Sequence, residues 1–140
     1  MTIIALGADH GGFELKEIIK KHLQAQAQYV VNDLGTYSQD SVDYPVFAKA
    51  VAEEVVGAKA AFGILVCGTG IGISIAANKI AGIRAALVHD EFTAKMSREH
   101  NNANVLCLGG RTTDSLKALK LVDIFLGTLF EEIGRASCRE

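Results

Sequence analysis

Short apolar runs alternate with helix-period segments from one end of the chain to the other, and this alternation constrains the fold more than any other property of the sequence. TIIALG, YVVNDLG, AFGILVC, IRAALV and ANVLCLG are aliphatic, β-branched-rich runs of strand length. After the first, Leu15, Ile18, Ile19 and Leu23 recur at helical spacing. PVFAKAVAEEVV carries proline in its first turn, where a missing N–H costs nothing. ISIAANKI, EFTAKMSREH and DSLKALKLVDIFLGTLF complete the helical set. AFGILVC is apolar without alternation, as a strand covered on both faces should be. Strand–helix alternation of this kind requires right-handed crossovers, so it predicts an α/β fold: a five-stranded parallel sheet with helices on both faces. At 140 residues, with no linker, repeat or low-complexity stretch, the chain is expected to form one domain.

Charge and cysteine usage remove several classes of function. Fourteen basic against sixteen acidic side chains leave a net charge of −2, which attracts neither nucleic acid nor an anionic membrane surface. No run reaches the ~18 uninterrupted apolar residues of a bilayer span, and the apolar stretch before Asp9 is too short for a secretory leader. Cys67, Cys107 and Cys138 are odd in number, far apart and without a Cys-x-x-Cys pair. That pattern suits a reducing cytoplasm rather than a disulfide framework or a structural zinc site. The histidines His10, His22, His89 and His100 lack ligand spacing, so no metal is expected.

In open α/β sheets ligands bind beyond the carboxyl ends of the strands, and there the chemically distinctive residues fall. Asp9 and His10 follow the first run, Tyr44 precedes the second helix, and Cys67 with Gly68, Gly70 and Gly72 follows the third run. His89 and Asp90 follow the fourth, and Arg111 the fifth. The glycine loop lets backbone approach a ligand, and the helix after it offers unpaired N–H groups and a positive dipole end to an anion. A dinucleotide fingerprint is a second reading, since Asp90 lies about 20 residues on; but the third glycine comes one position early. Cys67 is either a nucleophile or base activated at that helix start or a buried filler at a strand end. Cys107, between leucines, reads as core, and His22, on a lysine-rich face, as solvated. His100, in SREHNNANVL, is either a site residue or a helix C-terminal cap.

The blocks GADHGGFELK, DLGTYSQDSVDYP, CGTGIGISIAANKIAGIRAA, SREHNNANVLCLGGR and VDIFLGT occur in order over nearly the whole chain. Together they closely resemble the ribose-5-phosphate isomerases of the B type, within the group that also contains allose- and galactose-6-phosphate isomerases. The resemblance implies a three-layer α/β/α Rossmann-like sandwich and a homodimer (with a tetramer as the larger alternative). It also implies cofactor-free interconversion of ribose 5-phosphate and ribulose 5-phosphate in the pentose phosphate pathway. Some members use a cysteine as the proton-transferring base and others a glutamate just after the glycine loop. That later position is Ile73 here, so the chain resembles the cysteine type, with Cys67 as base. The galactose-6-phosphate branch lacks the Cys-Gly-Thr-Gly pattern. By the same resemblance, the amides of Gly68, Thr69, Gly70, Ile71 and Gly72 form the oxyanion hole, and Thr69 assists proton movement between oxygens. Asp9 orients sugar hydroxyls, Tyr44 lines the sugar pocket, and His10 and Arg111 bind the substrate at its phosphate. His100 opens the furanose ring beside Asn101, both reaching Cys67 from across the dimer interface.

The tail departs from the family pattern. Members continue through a Gly-Gly-Arg-His segment with a second arginine four residues on; this chain reads FEEIGRASCRE. Arg135 and Arg139 keep that spacing only if one residue is inserted before them. EIGRASCRE, Glu132 to Glu140, reads as a common short-read sequencing adapter translated in frame, so the native domain is expected to span residues 1–131. Two other readings stand beside the ribose one. An allose-6-phosphate isomerase would need only a roomier pocket, and a non-catalytic nucleotide- or phosphate-binding module would use the same glycine loop.

Overall fold

The computed structural model describes residues 1–131. Its strands are β1 (Thr2–Ala8), β2 (Tyr29–Asp33), β3 (Phe62–Cys67), β4 (Ala85–Leu87) and β5 (Val105–Gly109). Its helices are α1 (Phe13–Gln24), α2 (Tyr44–Val56), α3 (Ile71–Asn78), α4 (Glu91–Glu99) and α5 (Ser115–Gly127). All strand pairs are parallel, and the sheet order is β2-β1-β3-β5-β4.

Alternation along each strand divides the core in two. Ile4, Leu6, Ile64, Val66, Leu106 and Leu108 face α1, α4 and α5, packing with Leu15, Ile19, Leu121 and Phe125. Ala5, Leu65, Cys67, Val105 and Cys107 face α2 and α3, packing with Val51, Ala52, Ile73 and Ala77. The result is the expected α/β/α sandwich. Neighbours β1 and β3 send their following helices, α1 and α3, to opposite faces of the sheet. The chain therefore parts at their carboxyl ends, which is where open α/β sheets hold ligands.

Two elements are shorter than their sequence patterns predict, each because a side chain takes over a backbone bond. IRAALV supplies only Ala85–Leu87 to β4. On the free edge of that strand the Asn78 amide both accepts from the Ala85 N–H (2.8 Å) and donates to its carbonyl (2.9 Å), standing in for a sixth strand. Helix α5 stops at Gly127, and Thr128 is already extended, its carbonyl accepting from the Arg98 guanidinium at 3.1 Å. Among the described residues no helix is long and apolar enough to cross a membrane.

Candidate active site at the carboxyl ends of β1, β3 and β5

The β1 loop is organised by Asp9. Its buried carboxylate accepts from the N–H groups of Gly11 (2.9 Å) and Gly12 (3.2 Å) through one oxygen, Oδ1. These donors hold the loop in a tight turn into α1. A methyl group on Gly12 would strike the Val66 carbonyl, and one on Gly11 would sit 3.1 Å from the Gly68 nitrogen. The loop after β1 thus lies directly against the loop after β3. His10 projects beyond it with Nδ1 accepting from the Val42 N–H at 3.1 Å, which leaves Nε2 as the protonated, donating nitrogen of the neutral ring.

The β3 loop presents Cys67. The residue is 4 % exposed, and Sγ accepts from the Gly70 N–H at 3.2 Å. Gly70 is the N-cap of α3 at φ +80°, a conformation that suits glycine, so the chain turns directly from the thiol into the helix. Thr69 is exposed, and its hydroxyl accepts from the Ile71 N–H at 3.2 Å. The sulfur therefore meets the Gly70 N–H and the first turn of α3. Cys107, two residues away on the neighbouring strand and on the same face, is wholly buried. Burial, and then the neighbouring Cys67, push its thiol far above the ordinary range, so it is inert core as expected.

The β5 turn completes this side. The N–H of Gly110 donates to the Cys67 carbonyl (2.8 Å) and that of Arg111 to the Gly68 carbonyl (2.9 Å). The Arg111 side chain lies over Gly68, its Cδ and Nη1 each 3.6 Å from where a β-carbon there would sit. Arg111 and His10 share an open cavity of about 310 Å³ with Gly11, Glu14, Gln39 and Gly110. Tyr44, the first residue of α2, rests its ring on Gly72 in the first turn of α3.

Not every expected residue joins this group. His100 caps α4, its N–H donating to the Met96 carbonyl at 3.0 Å, and the Asn101 carbonyl accepts from Arg84 Nε at 2.6 Å. Arg84 directly precedes β4, so His100 and Asn101 stand at the amino end of the sheet, opposite Cys67 within one chain. Asp90, the residue that favoured a dinucleotide, is the N-cap of α4. It accepts from the Thr93 N–H (2.8 Å) and hydroxyl (2.8 Å), which hold its carboxyl below the usual range. His89 is exposed beside it. His22 stays at the surface, where its Nε2 pairs with the half-exposed Asp123 of α5 at 2.8 Å. Arg135, Arg139 and the whole 132–140 segment lie outside the described residues. Sequence reasoning missed Lys16, which is fully buried on Asp33, and the Val42 amide that fixes His10. Lys16 shares its helix with the half-buried Lys20 and the exposed Lys21, so nothing local marked it. Among the described residues no group of three or more His, Cys, Asp or Glu side chains is clustered to hold a metal.

Known proteins resemble this chain over nearly its full length. Ribose-5-phosphate isomerase B of Escherichia coli is 47 % identical over 131 residues, 94 % of this chain and 87 % of that one. A Thermotoga maritima ribose 5-phosphate isomerase structure superposes with a TM-score of 0.94 at 47 % identity, covering 99 % of this chain and 95 % of the other. A galactose-6-phosphate isomerase subunit, LacB of Clostridium acetobutylicum, is 44 % identical over 89 % of this chain and 71 % of its own. The sequence profile described as Ribose/Galactose Isomerase matches residues 4–139. With that match and these identities, the chain belongs to the ribose/galactose isomerase family.

Proposed function

We propose that this isomerase interconverts D-ribose 5-phosphate and D-ribulose 5-phosphate through an enediolate, with the Cys67 thiolate as the base. The observation that carries the reading is the meeting of Cys67, its glycine loop and Arg111 at the switch between β1 and β3. The 47 % identity to ribose-5-phosphate isomerase B of Escherichia coli supports ribose 5-phosphate as the substrate. The C2 proton passes to the sulfur and returns to C1, while the hydroxyl proton moves between O2 and O1 with Thr69 in reach of the loop. Charge developing on the oxygen meets amides of the segment from Gly68 to Gly72. Asp9 keeps its second oxygen for sugar hydroxyls, since Oδ1 already accepts from two N–H groups. Tyr44 walls the sugar pocket. His10, donating through Nε2, and the Arg111 fork grip the phosphate.

Ring opening by His100, with Asn101 on the sugar, requires a second copy of the chain, because the two residues sit at the other end of the sheet from Cys67. The working unit is then a homodimer with shared sites, in the cytoplasm and within the pentose phosphate pathway. The fingerprint reading for a dinucleotide loses its acidic residue, since Asp90 is engaged as a helix cap. Conversion of ribose 5-phosphate by the purified chain tests the proposal. Cys67→Ala should lower turnover by about 10³-fold or more with the circular dichroism spectrum unchanged. Near-full turnover in that variant refutes Cys67 as the base.

A further inference from the structure

We propose that Lys16 is a positioning residue for the anion pocket: its ion pair with Asp33 anchors the strap of residues 34–43, which delivers the Val42 N–H to His10. The inference rests on His10 as an anion contact. The Lys16 side chain is 0 % exposed, and its ammonium meets Asp33 Oδ2 at 2.7 Å, Asp33 Oδ1 at 2.9 Å and Glu17 Oε2 at 2.8 Å. The rings of Phe13 and Tyr37 flank it at 5.5 and 5.6 Å. A buried ion pair is a poor stabiliser beside an apolar pair of similar volume, so stability alone does not account for a charge kept here.

What the pair touches supplies the account. Asp33 Oδ1 also accepts from the Gly35 N–H at 3.0 Å, where the chain leaves β2. Gly35 accepts from the Ala8 N–H and Thr36 donates to the Ala8 carbonyl, both at 2.7 Å, so the strap starts beside the residue that precedes Asp9. The Tyr37 hydroxyl returns to the Asp33 carbonyl at 3.0 Å. Further on, Gln39 donates to Glu14 at 2.7 Å across the cavity rim, and Val42 reaches His10. The Val42 bond selects the ring tautomer: with Nδ1 accepting, Nε2–H is the donor left for an anion. Lys16 therefore acts on the pocket through the strap without entering it.

The test is the tautomer of His10, read by ¹⁵N NMR at about pH 8.5, where imidazole is neutral, together with titration by inorganic phosphate. Lys16→Met strands Asp33 with Lys20 alone and tests the anchor, at some risk to folding. Lys16→Met/Asp33→Asn removes both charges and leaves no buried charge unpaired, so its fold is retained. In each, Nδ1 should lose its unprotonated signature and average between tautomers, and phosphate should bind about tenfold more weakly, as the loss of one charge-assisted hydrogen bond implies. A folded double variant with the wild-type His10 tautomer, or with phosphate affinity within about twofold of wild type, overturns the proposal. Neither readout uses turnover. A wild-type chain that binds phosphate but leaves ribose 5-phosphate unchanged would sink the isomerase reading and leave this one standing.

Discussion

Gly70 fixes where the Cys67 sulfur can be. At φ +80° it turns the chain from β3 into α3 and aims its own N–H at Sγ. A methyl group there would lie 2.5 Å from Leu87 Cδ1 and 2.9 Å from the Leu108 carbonyl carbon, with backbone strain added. Gly70→Ala should therefore cost about 2–4 kcal/mol in urea denaturation, where surface substitutions cost a tenth of that. The other core thiol gives a complementary expectation. Cys107 is fully buried and held protonated by its surroundings, so iodoacetamide followed by mass spectrometry should leave it unmodified until the chain unfolds. Modification of Cys107 in the folded protein, at a rate matching Cys67, would show that β5 is not closed as described.

At the scale of elements, the join of α1, β2 and the strap should contribute to the acid limb of stability. Burial by itself would raise the Asp33 carboxyl, but hydrogen bonds from Lys16, the Gly35 N–H and Lys20 outweigh it and hold the group below its ordinary 3.8. The folded chain then binds this proton less readily than the unfolded chain. Its contribution is complete above the unfolded value and is lost as pH falls through the lowered folded value. Urea midpoints measured from about pH 6 down to about pH 2.5 should fall less steeply for Asp33→Asn than for wild type; parallel curves would remove Asp33 from the acid response. The same region shows what the sequence could disclose. Continuous apolar runs marked all five strands, and their ends marked Asp9, Cys67 and Arg111, because strand period and carboxyl-end placement are local properties. The Lys16–Asp33 and His22–Asp123 pairs were hidden because a lysine or histidine on an amphipathic helix reads as surface until the packing of another element is known. The ends of β4 and α5 were missed for the same reason: Asn78 and Arg98 cap them from elsewhere in the chain.

For the molecule as a whole, the decisive feature is that the residues of the proposed site divide between the two ends of one sheet. Cys67, Asp9 and Arg111 gather where β1, β3 and β5 end, whereas His100 and Asn101 sit where β4 and β5 begin, the Asn101 carbonyl accepting from Arg84. No rotamer change spans a sheet, so a single chain cannot bring His100 to a sugar held at Cys67. The proposed two-fold pairing would, if each copy offers its His100 end to the other's Cys67 end. Complementation tests this directly. Cys67→Ala and His100→Ala chains, each expected to be inactive on the closed-ring sugar as the proposed homodimer, are mixed, unfolded in urea and refolded together. Random pairing makes about half the dimers hybrids, and each hybrid has one site with both residues intact and one with neither, so about a quarter of wild-type activity should return. Recovery should fall on dilution as the dimers dissociate. Mixtures that stay as inactive as their parents would show that Cys67 and His100 do not work in one shared site.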